Sequence, residues 1–276
     1  MCRHLAHLGP PTTLSALLLE PPHGLLHQSY APADMRGGGT VNADGFGAGW
    51  YPSAGPSGNG RWPEPARYRS AQPIWADDSF ASLAAATRSA AVLAAVRSAT
   101  TGMPVTLTAA APFTEGPWLF SHNGVVRGWP GSVAALAGEL PVVDLLTLDA
   151  PTDAALLWAL VRHRLRAGED PAQVLAGTVL AVEAAAPGSR LNLLLTDGST
   201  IWGTAWDHAL SVRVAAEVAT VASEPTDAGP GWEPVPDRHL VVAAPGRLDR
   251  RPIGPPSTVP PTDTGIPDRG TRAPHP

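Results

Sequence analysis

The pattern of apolar and polar positions divides most of the chain into short strand-like runs and alanine-rich helical segments. The candidate strands are Ala91–Val96, Pro117–Ser121, Leu191–Thr196, Thr200–Ala205, Leu210–Val214, Val218–Ala222 and Leu240–Ala243. The candidate helices are Ser79–Arg88, Val133–Glu139, Asp153–Arg166 and Pro171–Ala185. In the third of these helices, leucine and valine recur at helical spacing, Thr152 or Asp153 can cap the start, and Gly168 ends it.

Tight turns between neighbouring strands indicate how the sheets are built. Asp197-Gly198 lies between two candidate strands and is a strong hairpin signal. Strands connected in this way pair antiparallel, and helices with one apolar face cover the outside of such sheets. The sequence therefore predicts an α+β fold in which helices flank antiparallel sheet.

The composition changes at two places along the chain. Residues 52–65 are dense in proline and glycine and predict a surface hairpin loop. From Arg250 onward the chain is rich in proline, threonine, arginine and glycine, with few large apolar side chains. Such a segment buries too little surface to offset its ordering entropy. We therefore expect one domain over residues 2–249 and a disordered, proline-rich tail over residues 250–276.

Composition and charge exclude several classes of function. The chain has 276 residues, of which 44% are hydrophobic, so it can bury a sizeable core. Its net charge of −5, without a basic run, argues against nucleic-acid binding. No apolar run is long enough to cross a membrane, and the first residues lack the pattern of a signal peptide, so we expect a soluble, cytoplasmic protein. Nothing in the sequence points to a particular oligomeric state.

The single cysteine limits the chemistry further. One cysteine cannot form an internal disulfide framework or a multi-cysteine metal site, and the scattered histidines do not form a metal-binding motif. We therefore expect no metal and no organic cofactor. The cysteine stands at position 2, where a small side chain favours removal of the initiator methionine. Cys2 would then carry both a thiol and an α-amine with a pKa of roughly 8, and this amine can act as the base for the thiol.

Three further features could serve such a nucleophile. Arg97 ends an apolar run, and its planar guanidinium suits a carboxylate. Asn123 and Gly124 follow a strand in what reads as a polar turn, and an amide beside a glycine N–H can stabilise an oxyanion. Asp153 opens a predicted helix. Taken singly, each feature also fits an ordinary structural role, namely a surface salt bridge, an Asn-Gly turn and a helix cap.

The order of these features along the chain resembles the class II glutamine amidotransferase domain of the N-terminal nucleophile hydrolases. The motifs that carry the resemblance are Met-Cys-Arg-His at the start, Asn-Ala-Asp-Gly-Phe-Gly-Ala-Gly-Trp (42–50), Val-Arg-Ser-Ala-Thr-Thr-Gly-Met-Pro (96–104), Ser-His-Asn-Gly (121–124), Thr-Asp (152–153), Ala-Ser-Glu-Pro (222–225) and Pro-Asp-Arg-His-Leu (236–240). Within that family the chain looks closest to the branch of amidohydrolases that remove a γ-glutamyl group in ergothioneine biosynthesis. The resemblance covers roughly residues 2–245.

The resemblance implies a fold and a set of roles. The fold would be a four-layer αββα sandwich, in which two antiparallel sheets lie between outer helices. Cys2 would be the nucleophile, and Asn123 and Gly124 would form the oxyanion hole. The substrate-binding residues would be Arg97 for the α-carboxylate of the glutamyl group, Asp153 for its α-ammonium, and Thr100 in the pocket wall.

The implied activity is hydrolysis of a small-molecule γ-glutamyl amide, with hercynylcysteine sulfoxide as the leaving amine. One departure concerns the family members that supply ammonia to synthetases, which commonly have Trp and His where this chain has Ser98 and Thr101. Two alternatives stay open. The chain could be a glutaminase subunit that delivers ammonia to a partner synthetase, or a non-catalytic binding module if Met1 is retained.

Overall fold

The computed structural model describes residues 2–35, 41–52 and 64–254. In chain order the strands are β1 (Arg3–Thr13), β2 (Phe46–Trp50), β3 (Ala66–Ser70), β4 (Arg88–Val96), β5 (Phe113–Glu115), β6 (Trp118–Val125), β7 (Arg190–Thr196), β8 (Ile201–Ala205), β9 (Ser211–Ala215), β10 (Val218–Ala222), β11 (Glu233–Pro234), β12 (His239–Ala244) and β13 (Arg247–Pro252). The helices are α1 (Leu14–Leu18), α2 (Leu25–Tyr30), α3 (Asp78–Ala86), α4 (Ala134–Ala137), α5 (Val142–Leu146), α6 (Asp153–Arg166) and α7 (Pro171–Ala185). Short 3₁₀ turns lie at Ile74–Ala76, Leu107–Ala109 and Gly131–Val133.

The strands form two antiparallel sheets. The first has seven strands in the order β11-β9-β10-β1-β4-β2-β3, and the second has six in the order β13-β12-β8-β7-β6-β5. In the first sheet β1 pairs with both β4 and β10, so the start of the chain lies near the middle of that sheet. In the second sheet β7 pairs with β6 over the whole length of β7. The central strands of both sheets therefore carry the residues that flank Cys2.

The central strands are continuous apolar runs in the sequence because both of their faces are buried. In β4, Ala91 and Leu93 pack between the two sheets, whereas Val92, Ala94 and Val96 pack against the helices α1–α3. Successive side chains of a strand point to opposite faces, and both faces are buried in this case. On the other side of the molecule, α6 and α7 cover the second sheet through a core of leucine, valine and aromatic side chains. The layers are thus helix, sheet, sheet and helix, which confirms the αββα architecture.

The observed elements match several of the sequence-based ones closely. The helices α6 and α7 have the predicted bounds, and β10 spans the predicted residues. Thr152 caps α6, since its Oγ1 accepts a hydrogen bond from the Ala155 amide. The Asp197-Gly198 turn joins β7 to β8, and the Asp197 carboxylate accepts hydrogen bonds from two of the following amides. A short polar side chain that satisfies the turn backbone is the reason such turns are predictable.

Four expectations from the sequence need correction. The helix expected over Ser79–Arg88 ends at Ala86, and Arg88 already belongs to β4. The helix expected over Val133–Glu139 is the single turn α4. The strand expected to end at Ser121 continues as β6 to Val125, because its polar side chains find partners on both sides of the sheet. The fourth correction concerns the C-terminal boundary.

The domain extends past the predicted boundary at residue 249. Strand β13 runs to Pro252, and Arg250 and Arg251 pair with Val241 and Leu240 of β12. Ile253 then packs into the core beside α7 with 7% exposure. Residues 53–63 of the expected loop and residues 255–276 of the expected tail lie outside the described residues, so disorder in the tail stays a prediction.

Among the helices in the described part of the chain, none is both long enough and apolar enough to cross a membrane. The cytoplasmic location expected from the sequence stays a prediction.

Candidate active site

A recess opens where the start of β1, the end of β4, the middle of β6 and the start of α6 meet. Its lining consists of Cys2, Ala95, Val96, Arg97, Ser98, Thr100, Met103, Ala109, Ala111, Phe113, His122, Gly124, Thr152, Asp153 and Ala154. Of the residues expected at the site, Cys2, Arg97, Thr100, Gly124 and Asp153 are in this lining. Asn123 is buried and lies outside it. Residues far apart in the chain therefore meet at one recess.

Cys2 stands directly before β1 and lines the recess with a free thiol. The Sγ atom lies 3.8 Å from the carbonyl oxygen of Ser98, to which the thiol donates. The Cys2 carbonyl accepts a hydrogen bond of 2.9 Å from the Arg3 guanidinium. The residue is thus held at its carbonyl end while its thiol faces the recess.

Arg97 follows β4 and is fixed through its backbone to the segment before β2. The Arg97 amide donates to the Gly45 carbonyl, and its own carbonyl accepts from the Asp44 amide. The side chain is 8% exposed, and its Nη1 atom donates to the Pro104 carbonyl at 2.9 Å. No carboxylate in residues 2–35, 41–52 and 64–254 forms an ion pair with it. A guanidinium buried at a recess without a protein counter-ion favours the binding of an anion.

Asp153 occupies the first position of α6 and is 6% exposed. Its Oδ2 atom accepts from the Val126 amide at 3.1 Å, and its Oδ1 atom accepts from the Ala154 amide at 2.8 Å. These two bonds fix the position of the Asp153 carboxyl group at the start of α6. No arginine or histidine of the described chain lies within ion-pair distance of it.

Arg97 and Asp153 therefore present two opposite charges to one recess without neutralising each other. The described residues contain no ion pair between them, although both line the same space. A ligand with a carboxylate and an ammonium group at matching separation would satisfy both charges. The free amino acid end of a γ-glutamyl group is such a zwitterion.

The structure corrects the expected geometry around Asn123 and Gly124. Both residues lie inside strand β6 and pair with Asn192 and Leu191 of β7, so they do not form a turn. A Cβ atom on Gly124 would lie 1.8 Å from the carbonyl oxygen of Arg190, so this position requires glycine. The Asn123 side chain points between the sheets, where its Nδ2 atom donates to Ser223 Oγ at 2.9 Å. That bond uses one of its two N–H groups.

Thr100 and His122 also line the recess. Thr100 is exposed and lines both the recess and an adjoining open cavity of about 880 Å³. The His122 side chain donates from Nε2 to the Arg190 carbonyl at 3.0 Å, because a carbonyl can only accept. His122 therefore helps to hold the carbonyl that faces Gly124.

The sequence motifs contained three buried residues whose roles at the site sequence reasoning missed. Arg3, Ser223 and Glu224 connect the recess to the interior through side-chain hydrogen bonds. All three lie in motifs that carried the family resemblance, Met-Cys-Arg-His and Ala-Ser-Glu-Pro. Because they pair with residues distant in the chain, only the tertiary structure shows what each one contacts.

A comparison with known protein families and solved structures identifies the family of this chain. A model of the class II glutamine amidotransferases matches residues 16–216, which is more than half of the chain. The chain belongs to the class II glutamine amidotransferase family. This confirms the resemblance drawn from the motifs. A solved protein from Silicibacter pomeroyi, described as a glutamine aminotransferase class-II domain protein, has the same fold, with a TM-score of 0.64 and 21% identity, covering 92% of this chain and 100% of that one.

Two curated proteins are similar to this chain over nearly their whole length. One is named gamma-glutamyl-hercynylcysteine sulfoxide hydrolase, from Mycolicibacterium smegmatis. It is 44% identical over 241 residues, which are 87% of this chain and 95% of the relative. A protein of the same name from Mycobacterium tuberculosis is 43% identical over 242 residues, covering 87% and 92% respectively. These similarities confirm the narrower resemblance to the amidohydrolase branch.

Proposed function

We propose that this protein hydrolyses the γ-glutamyl amide bond of γ-glutamyl-hercynylcysteine sulfoxide and releases glutamate and hercynylcysteine sulfoxide. The observation that carries the proposal is the recess, in which a free thiol stands with a buried guanidinium and a buried carboxylate that have no ion-pair partner in the described residues. The names of the two mycobacterial relatives support the choice of substrate.

The two charges of the recess would bind the glutamyl group by its amino acid end. The Arg97 guanidinium would take the α-carboxylate through charge-assisted hydrogen bonds, and the Asp153 carboxylate would take the α-ammonium. Thr100 would contribute to the wall around that end. With this end fixed, the side chain of the glutamyl group can extend towards Cys2 and bring its γ-carbonyl to the thiol, which is the positioning that raises the rate of attack.

The first chemical step would form a thioester at Cys2. After removal of Met1, the α-amine of Cys2 takes the thiol proton, and the sulfur attacks the γ-carbonyl carbon. The carbonyl oxygen becomes an oxyanion, which the Gly124 amide and the second N–H of Asn123 would stabilise. The C–N bond then breaks, and the leaving nitrogen takes the proton from the α-ammonium, so that hercynylcysteine sulfoxide departs as a neutral amine.

The second step would return the enzyme to its starting state. A water molecule attacks the thioester carbon while the α-amine of Cys2 accepts a proton from it. The same oxyanion donors serve again, and the C–S bond breaks. The sulfur leaves as a thiolate, is reprotonated by the α-ammonium, and glutamate is released. This cycle uses only groups of the protein and water.

A glutamate-release assay tests the proposal. The purified wild-type protein is incubated with the sulfoxide conjugate and, separately, with glutamine, and free glutamate is measured over time. The matched control is Cys2→Ala, which should bind the conjugate but release no glutamate. Intact-mass measurement of both preparations shows whether each chain begins at residue 2.

The outcomes separate the proposal from its alternatives. Release from the conjugate that greatly exceeds release from glutamine, and that is lost in Cys2→Ala, supports the hydrolase. Preferential release from glutamine would instead support a subunit that delivers ammonia to a synthetase. A chain that retains Met1 and releases no glutamate from either compound would support a non-catalytic module.

A further inference from the structure

Two consecutive residues after β10, Ser223 and Glu224, are connected by hydrogen bonds to the proposed reaction centre. Ser223 contacts Asn123 directly, and Glu224 is connected to Cys2 through Arg3. They are 1% and 4% exposed, so both are part of the interior. Neither lines the recess itself. Their hydrogen bonds lead in two directions, one towards the oxyanion donor and the other towards the nucleophile.

Ser223 fixes the Asn123 amide to the start of β1. Its backbone amide donates to the His4 carbonyl at 2.9 Å, and its Oγ atom accepts from the His4 amide at 3.0 Å. The same Oγ atom accepts from Asn123 Nδ2 at 2.9 Å. One hydroxyl thus determines where the amide nitrogen of Asn123 lies relative to the strand that begins just after Cys2.

Glu224 is bound by donors on both of its carboxylate oxygens. Oε1 accepts from Arg3 Nε at 2.6 Å and from the Asp34 amide at 3.2 Å. Oε2 accepts from His23 Nε2 at 2.5 Å and from the Ala33 amide at 2.8 Å. Burial opposes ionisation of Glu224, but the hydrogen bonds from His23 and Ala33 and the charge of Arg3 outweigh it and hold its pKa below the usual value.

Arg3 connects Glu224 to Cys2 through its guanidinium. Its side chain is fully buried, and its three nitrogens donate to three different acceptors, which are Glu224 Oε1, the Asp34 carbonyl and the Cys2 carbonyl. The pairing between β1 and β4 begins only at Arg3, so Cys2 lies one residue outside that ladder. The guanidinium therefore holds the carbonyl of a residue that strand pairing with β4 does not hold.

We propose that Ser223 and Glu224 are positioning residues for the hydrolysis. Ser223 orients the Asn123 amide for the oxyanion, and Glu224 keeps Cys2 in place through Arg3. The roles given to Cys2 and Asn123 are those of the proposed function, on which this inference therefore rests. Misplacement of a reacting group by a fraction of the length of a bond lowers the rate of the chemical step more than it lowers substrate affinity.

The test compares kcat and KM for glutamate release from the sulfoxide conjugate in four variants. Glu224→Gln keeps the size of the side chain but replaces one of the two acceptor oxygens with an NH₂ group, which donates and cannot accept. Ser223→Ala removes the shared acceptor, and Ser223→Thr keeps it. The matched control is Asp227→Asn, in the same segment. Like Glu224, Asp227 accepts hydrogen bonds from an arginine side chain, that of Arg213, and from a backbone amide, that of Gly229. These bonds do not connect it to Cys2.

We expect Glu224→Gln and Ser223→Ala to lower kcat about 10- to 100-fold while KM stays within about two-fold of the wild type, because Arg97 and Asp153 are unchanged. Ser223→Thr should restore most of kcat, and Asp227→Asn should keep it. Thermal unfolding of each variant, measured alongside, identifies any assay temperature at which a chain is partly unfolded. A merely structural role would lower the fraction of active enzyme, and this alone would lower the apparent kcat at unchanged KM. Each rate is therefore divided by the fraction of folded chain at the assay temperature, and we expect the losses of kcat in Glu224→Gln and Ser223→Ala to remain after this division.

Wild-type kcat in both Glu224→Gln and Ser223→Ala, with an active wild-type enzyme, would overturn this inference and leave the proposed function standing. An equal loss of kcat in Asp227→Asn would also overturn it. A wild-type protein that releases no glutamate from the conjugate would overturn the proposed function and this inference together.

Discussion

The replacement Arg97→Met tests whether the Arg97 charge serves the substrate. It should lower the hydrolytic activity strongly and the stability of the fold only slightly. Methionine keeps much of the unbranched apolar stem and removes the guanidinium. In the wild type this buried cation has no carboxylate partner in the described residues, and its nearest hydrogen bond is to the Pro104 carbonyl at 2.9 Å. The substrate would supply the missing anion, so the charge should matter for catalysis far more than for folding.

The expected magnitudes follow from these contacts. A hydrogen bond between charged groups contributes about 1.5–3 kcal/mol, so two such bonds from Arg97 to the α-carboxylate contribute at least ~3 kcal/mol. Their loss corresponds to a decrease of about 100-fold or more in kcat/KM. For folding, loss of the bond to Pro104 costs about 1 kcal/mol. Removal of a desolvated charge offsets this cost, so we expect the free energy of unfolding to fall by no more than ~1 kcal/mol.

The assay uses two substrates in a double comparison. Wild type and Arg97→Met are measured with the γ-glutamyl conjugate and with the corresponding 4-aminobutanoyl conjugate, which lacks only the α-carboxylate. The variant should lose activity on the first substrate and change little on the second. Equal losses on both substrates, unchanged kinetics on the glutamyl substrate, or a large drop in thermal stability would refute the assignment of Arg97.

Three further predictions concern stability and the ends of the fold. Gly124→Ala should lower the free energy of unfolding by about 3 kcal/mol or more, because the added Cβ would lie 1.8 Å from a backbone oxygen. Chemical denaturation measures this change. A free energy of unfolding close to that of the wild type would contradict the strand geometry of β6. The carboxylate of Glu224 should contribute stability above its usual pKa of 4.5 and lose it as the pH falls through its lowered pKa. The acid-induced loss of stability in Glu224→Gln should therefore be shallower than in the wild type, and parallel curves would count against this role of the carboxylate. A chain ending at Gly254 should keep wild-type kinetics and melting, whereas a chain ending at Asp249 should lose about 2 kcal/mol or more through Ile253 and the end of β13; equal melting of the two would show that the later boundary is wrong.

The parts of the fold that the sequence predicted best are those with strong local signals. Helices α6 and α7 each have a capping side chain at the start, Thr152 and Asp170, and an apolar face along their length. Strand β1 has no comparable signal, because histidines and prolines interrupt its pattern, and it was missed. Its polar side chains are stable in the interior only because distant residues receive them, such as Ser121 for His4 and Thr220 for His7. Partners of this kind cannot be deduced from local sequence.

The candidate site, like the fold, could be predicted from the sequence only in part. The motifs identified five of the residues that line the recess, but not the geometry of the segment around Asn123, which reads as a turn and is a strand. Polar side chains on alternating faces of a strand resemble a turn unless their partners are known. The buried contacts of Arg3 and Glu224 were also outside the reach of the sequence, because these residues are 221 positions apart.

The central claim is that Cys2 becomes the first residue and carries the glutamyl group during turnover, and mass spectrometry tests it most directly. Wild-type protein is mixed with the sulfoxide conjugate, quenched in acid within the first turnovers, digested, and its N-terminal peptide is analysed. We expect a peptide that begins at Cys2 and carries one glutamyl group, with no adduct in Cys2→Ala. A peptide that retains Met1 in an active preparation, or a glutamyl group attached to another residue, would contradict it.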